Sequence, residues 1–500
     1  MSIGAIALVV TLVTAAAFTL YGVLYAGRQQ IDLEGYIVHR NQVGGWAAFA
    51  TVTASALGAW ILFSPQEAGS AFGGITAILG YCLGSAGAVA LFFVIGPRLR
   101  HLMPRGYSLN EYVKHRFGEP MYWFVEAVIV FYMFIYLSAE LTAIAKALQL
   151  VADVPLAVTA LVVITAVFVY TTYGGLGTTI LTDGLQFAVI VPLLLLCAGG
   201  IFLSLGGTEA FATIAAQQPE LLSLGNVGGL RFGATLIIAI VAAEVFNQGN
   251  WQRVYACRDS QTVRRAFLGS AVVILPLLLI AGLLGLLAAT FADVQPDIVG
   301  STALFGLLEQ LAVPDWMLMG VIVLALALVM SSLDTMLNGI ASVFTLDLMR
   351  LLPNPSTENV LRMSRLLTVI VGMPAIAIAS RGYSVLYLFF VADLICAAVL
   401  FPMLYGLYSR FISGTNALVS SLIGVAVGVL FFPKPDFSPL FPVPGAADLL
   451  HSFAAALLVS TIVTLIWTAV DKQRRSVVAF DYRRLDRQPP LTTAQPEQPV

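Results

Sequence analysis

Residues 171–186 read TTYGGLGTTILTDGLQ, and residues 330–338 read MSSLDTMLN. Each is a polar cluster set in apolar sequence: the first separates a run beginning at Leu156 from one beginning at Thr179, and the second lies inside a run beginning at Trp316. What surrounds them decides the class. A chain of 500 residues with 59% hydrophobic side chains, 10% charged ones and a mean hydropathy of +0.91 cannot close as a water-soluble globule. Crossing roughly 30 Å of hydrocarbon takes about 20 apolar residues in a helix. About 13 such stretches follow one another, beginning at Ile3, Trp46, Ile75, Met121, Leu156, Thr179, Phe232, Ala266, Trp316, Leu366, Tyr383, Thr415 and Ala447. The expected fold is an all-α integral membrane protein. Ile3–Ala26 lacks the basic start and short apolar core of a secretory signal, so it reads as a retained first span.

The basic residues test that count, because loops on the cytoplasmic side of a membrane carry the excess of lysine and arginine. Thirteen spans with the N-terminus outside and the C-terminus cytoplasmic put 21 of the 25 basic residues inside. Arg231, Arg381 and Lys434 fall outside, and Lys146 is read as the only basic residue within a span, Arg253 being counted to an inner loop. One span more or fewer would invert every later loop. The net charge of -2 gives no reason to expect a nucleic-acid partner. The four cysteines stand singly, without CxxC spacing, so neither a metal site nor a disulfide is suggested. From Asp471 the chain turns polar and reads as a disordered cytoplasmic tail.

With the spans placed, the two motifs become specific. Tyr173, Gly174, Gly175, Leu176, Thr182, Asp183 and Gln186, followed by Ser331, Ser332, Leu333, Asp334, Thr335 and Leu337, resemble the signature of the sodium:solute symporter family. That family includes the bacterial proline and sodium/sugar symporters. FNQGNWQR at Phe246–Arg253 resembles its seventh span running into a basic inner loop, and Leu57–Gly73 resembles its second. The resemblance extends over about residues 1 to 470. It implies a multi-pass protein of a plasma membrane, the bacterial inner membrane, with a five-plus-five inverted repeat. Residues 1–44 then hold the first span and an inner loop, 45–206 the first repeat (spans 2–6), and 207–231 an outer loop. Residues 232–410 hold the second repeat (spans 7–11), 411–470 spans 12 and 13, and 471–500 the tail.

Broken helices at the start of each repeat would expose backbone groups near the midplane, where such transporters bind ion and solute. Gly58, Pro65 and Gly69 in span 2 correspond to Asn247–Asn250 in span 7. The resemblance places the main sodium site on the carbonyls of Ala54, Leu57 and Leu328 and the hydroxyls of Ser331 and Ser332. Serines in membrane helices also bond back to their own carbonyls or join helices. In some members a second cation uses residues matching Asp183, Ser331, Asp334 and Thr335; two carboxylates there can equally share a proton.

The solute is approached through absences. Where the family's sugar carriers place a glutamine in span 2 and a lysine in span 8, this chain has Ile61 and about Val272, which disfavours a sugar. Trp60, Ser64, Asn247, Gln248 and Trp251 lie on the broken segments, and Glu140, Glu244 and Asp393 sit deep within spans. Interior acids favour donors or cations such as amines, urea or an amino acid's ammonium group, unless they are protonated or hydrogen-bonded between helices. The expected function is sodium-coupled import of a small polar organic solute by alternating access. A transporter-like solute sensor and a proton-coupled or passive pathway remain open. An intramembrane enzyme lacks a nucleophile or metal motif.

Overall fold

The computed structural model describes residues 3–27, 33–291, 300–352, 356–474 and 477–486; tail residues 487–500 and the Tyr173 side chain lie outside them. In chain order the helices are α1 Ile3–Ala26, α2 Leu33–Ile37, α3 Gly45–Ala56, α4 Ser64–Ala71, α5 Gly74–Leu102, α6 Leu109–Phe117, α7 Glu119–Ala152, α8 Leu156–Ser204, α9 Thr208–Gln217 and α10 Val227–Val245. There follow α11 Gln248–Ala256, α12 Ser260–Ala288, α13 Ala303–Gln310, α14 Asp315–Leu351, α15 Thr357–Ala379, α16 Val385–Tyr405, α17 Gly414–Phe431, α18 Leu449–Arg474 and α19 Arg483–Asp486. Hydrocarbon offers no partner for a free backbone group, which is why apolar runs of this length close their hydrogen bonds within helices.

Eleven of the described helices are long and apolar enough to cross a membrane alone, and the bent pair Gly45–Ala56 and Ala59–Ala71 makes twelve. The count of thirteen is not reached, because the run from Leu156 ends as the shorter apolar helix Leu156–Thr172. The paired glycines explain the difference. Gly175 adopts φ 55° and ψ −161°, which interrupts α8, so the next span begins at Gly174 rather than at Thr179. A Cβ at Gly175 would also stand 2.8 Å from the Tyr36 carbonyl oxygen.

Burial sorts the helices into centre and rim. Of the most apolar stretch of each, 78% is buried in α7 and 72% in α14 and α16, against 22% in α1 and α15. The last two therefore face lipid. α14 packs against α7, α8 and α15 and reaches the breaks of α3/α4 and α10/α11. The tail departs from the disorder expected after Asp471. α18 continues to Arg474, and residues 477–486 dock on the basic end of the bundle. Phe480 N–H donates to the Arg410 carbonyl (2.8 Å), the Tyr482 hydroxyl donates to the Gly406 carbonyl (2.8 Å), and Leu485 is buried. Three anchors, Phe480, Tyr482 and Leu485, fall within six residues of this segment.

Candidate functional site

The second span breaks where its composition turns from alanine and threonine to Leu57–Gly58. α3 ends at Ala56, Leu57 and Gly58 are extended, Ala59–Leu62 form a 3-10 turn, and α4 leaves at 53° to α3. Extended residues leave the helical ladder, so carbonyls at the break become free to accept. α14 lies alongside with its serine pair. The Ser331 hydroxyl donates to the Ala54 carbonyl (3.0 Å) and to its own helix at Leu328 (2.9 Å). Ser332 donates to Leu328 (3.2 Å) and to Glu140 Oε2 (2.8 Å). Ala54, Leu328, Ser331 and Ser332 thus converge on one buried point between span 2 and span 9, with Leu57 at its edge. The oxygens joined here through hydroxyl hydrogens are hard donors of the kind that suit a small cation.

The seventh span breaks at Phe246–Asn247, and side chains of α11 satisfy the end of α10. Trp251 Nε1 donates to the Val245 carbonyl (2.7 Å), Asn250 Nδ2 to the Glu244 carbonyl (3.2 Å), and Asn247 Oδ1 caps Gly249 N–H (3.0 Å). The same asparagines hold the Glu244 carboxylate. Its Oε2 accepts from Asn250 Nδ2 (2.7 Å) and Asn247 Nδ2 (3.1 Å), and its Oε1 from the Tyr132 hydroxyl (3.1 Å).

Glu244 faces a narrow cavity shared with Trp60, Tyr81, Tyr136, Phe389 and Asp393. Trp60 stacks on Tyr81 with ring centroids 5.4 Å apart and meets Phe389 edge-on, while its Nε1 donates to the Tyr136 hydroxyl (3.1 Å). Asp393 Oδ1 is buried without a hydrogen-bond partner. No basic side chain lines this cavity among the described residues. Aromatic faces beside carboxylates attract organic cations, through ring quadrupoles and charge together.

Towards the basic end lies a third cluster. Arg253 and Asp183 form an ion pair at 2.8 Å with side chains 1% and 0% exposed. The guanidinium also donates to Thr51 Oγ1 (2.9 Å), the Gly249 carbonyl (3.1 Å) and Thr335 Oγ1 (2.8 Å). Asp334 stands behind, accepting from the Tyr170 hydroxyl (3.0 Å). Two expectations are corrected here. Arg253 is not a loop residue, and Lys146 is not the only basic residue within a span, because α11 continues the seventh span beyond its break. Asp183, Asp334 and Thr335, expected to hold a second cation, are brought together, but the cation beside them is Arg253.

The solute candidates divide. Trp60, Glu244 and Asp393 share the cavity. Asn247 supports Glu244 from behind, Ser64 is buried in α4 behind Tyr81 and is not itself a lining residue, and Glu140 belongs to the break in span 2. Gln248 and Trp251 are structural: Gln248 Nε2 donates to the Tyr107 carbonyl (3.1 Å), and Trp251 packs edge-on against Phe92. Val272 is 65% exposed on the rim, so its identity carries no information about the solute; one position of misalignment turns a helical side chain by about 100°. Tyr81, Tyr132, Tyr136 and Phe389 escaped notice because aromatics read as apolar filling. The signal present was the spacing of Tyr132, Tyr136 and Glu140, which puts three polar-tipped side chains on one face of α7.

A multi-span bundle with two helices broken at its centre, a hard-oxygen cluster at one break and a lined cavity at the other defines a secondary transporter. Residues 36–424 match the sodium:solute symporter family, and the chain belongs to it. Its relatives are transporters rather than enzymes. The spermidine transporter of Candida albicans is 26% identical over 387 residues, covering 76% of this chain and 71% of the relative. The sodium/glucose cotransporter of Vibrio parahaemolyticus is 24% identical over 497 residues, covering 90% and 87%. A solved structure of a Na+-coupled sialic acid symporter, substrate-bound and outward-open, shares the fold with a TM-score of 0.75 at 19% identity, covering 93% of this chain and 98% of that one.

Proposed function

We propose that this symporter imports a small organic amine together with sodium. The observation that carries the solute class is the cavity in which Trp60, Tyr81 and Tyr136 stand with Glu244 and Asp393 and without a basic residue. An ammonium group there meets carboxylates and ring faces, whereas a free anion meets only repulsion. The similarity to a spermidine transporter supports the same class. Sodium binds between the break of span 2 and span 9, on the carbonyls of Ala54, Leu57 and Leu328 and the hydroxyls of Ser331 and Ser332. Arg253 already neutralises Asp183, which favours one sodium per solute over two. The excess of basic charge at the end bearing Arg40, Arg100 and Arg258 supports a cytoplasmic position for that end in a plasma membrane.

Uptake into proteoliposomes under an inward sodium gradient, against an equal potassium gradient, tests the reading. Spermidine, putrescine, proline and glucose are compared as labelled solutes. Sodium-dependent accumulation of an amine is expected; accumulation that ignores sodium, or that favours glucose over every amine, refutes it.

A further inference from the structure

One buried acid has no part in the reading above. Glu140, on α7, is 0% exposed. Its Oε2 accepts from the Ala59 backbone N–H (2.7 Å) and from the Ser332 hydroxyl (2.8 Å), so the side chain touches both walls of the cation cage, span 2 and span 9. Its Oε1 is buried without a hydrogen-bond partner. That oxygen is pressed into the kink itself: a Cβ built on Gly58 would stand 2.1 Å from it, so no residue but glycine leaves room for the carboxyl group. The groups that donate to Glu140 are neutral, and no ion pair among the described residues includes it.

A carboxyl group sealed into a membrane bundle is costly unless a proton or a cation neutralises it. Ser332, which donates to Glu140, is also a candidate ligand of the ion, and Ala59, which fixes its other bond, lies two residues after Leu57. Carbonyls and hydroxyls alone would leave the full charge of a bound ion in the bilayer interior. Resting on the assignment of sodium to this cage, we propose that Glu140 is its anionic member, binding the ion through the free Oε1 so that ion and site form a neutral set. The site then prefers a small hard cation for its charge as well as its size. It also ties the ion to three elements at once: the kink of span 2, span 9 and α7.

The test is sodium titration of the thermal stability of the full chain in detergent, with potassium chloride keeping ionic strength constant, for wild type, Glu140→Gln and Glu140→Asp. Glutamine retains the size and an acceptor for Ala59 N–H while removing the charge. The expected result is an apparent sodium Kd raised at least tenfold in Glu140→Gln, with Glu140→Asp nearer to wild type. If wild type responds to sodium and Glu140→Gln responds with the same Kd, the role of Glu140 is overturned while the sodium site stands; a wild type indifferent to sodium overturns both. Should Glu140→Gln fail to fold, the infrared difference between wild-type protein in sodium and in potassium decides: a shifted carboxylate stretch supports the proposal, and its absence overturns it.

Discussion

Replacing Arg253 by glutamine leaves Asp183 and Asp334 facing each other without a cation. The guanidinium makes four side-chain hydrogen bonds, to Thr51, Gly249, Asp183 and Thr335, and the pair with Asp183 is sealed from solvent on both sides. Removing one partner of such a buried pair costs about 3–5 kcal/mol, because an uncompensated charge remains. The two halves of the pair are not equivalent. In Asp183→Asn the arginine keeps three of its four bonds and has Asp334 within electrostatic reach, so the loss should fall near the lower end, about 3 kcal/mol. In Arg253→Gln two acids lose their shared cation, and the loss should approach about 5 kcal/mol. The double variant, with two amides that can bond to each other, should be more stable than the sum of the singles by roughly 2–3 kcal/mol. Reversible denaturation in mixed micelles, or ranked melting temperatures in one detergent, reads this order. Additive single losses, or an Arg253→Gln protein no weaker than Asp183→Asn, would refute the geometry described for this cluster.

Three further perturbations separate the sites. Ser331→Ala removes the hydroxyl that links the Ala54 and Leu328 carbonyls, and losing a ligand of about 1.5–3 kcal/mol should weaken sodium affinity tenfold or more; a thermal response to sodium equal to wild type would exclude Ser331 from the cage. Asp393→Asn takes from the cavity its unpartnered carboxylate, so amine uptake in proteoliposomes should fall roughly tenfold or more while sodium still stabilises the protein, and undiminished amine uptake would argue against a cationic solute. Gly175→Ala forces a side chain into φ 55° and ψ −161° and against the Tyr36 carbonyl, at a cost of about 1–3 kcal/mol from the backbone alone; an unchanged melting temperature would mean that the turn in α8 relaxes freely.

The membrane class was legible in sequence as run length; glycines beside polar residues hinted at the breaks in the second and seventh spans, and the family resemblance, not any local trace, supplied both the weight of that hint and the meeting of Ala54 with Ser331. What escaped depends on which residues of distant helices meet. Arg253 reads as a loop residue until α11 is seen to extend the seventh span inward. Tyr132 and Tyr136 read as ordinary apolar filling until Trp60 and Phe389 arrive from helices far away in sequence. Val272 shows the opposite failure, a plausible alignment spoiled by helical rotation. Glu140 reads in sequence as an interior acid, a candidate for the solute or for a bond between helices. Its bonds to Ala59 and Ser332 are what carry the role proposed for it at the ion.

Those bonds give the proposed coupling a physical route. Ala54 and Leu57, assigned to sodium, and Trp60, assigned to the solute, lie on one short broken segment, with Ala59 between them held by Glu140. An ion that binds Ala54, Leu57 and the α14 serines fixes the kink against α14, and with it the indole that walls the solute cavity. A solute seated on Trp60 in turn favours the backbone geometry that presents the Leu57 carbonyl. Each ligand thereby acts on the affinity of the other through a conformation both prefer, and linkage makes the two effects equal in size. Coupling of this kind needs the kink to be neither rigid nor free. Gly58 supplies the freedom, and Glu140, bonded to both walls, supplies the restraint that an arriving cation can tighten.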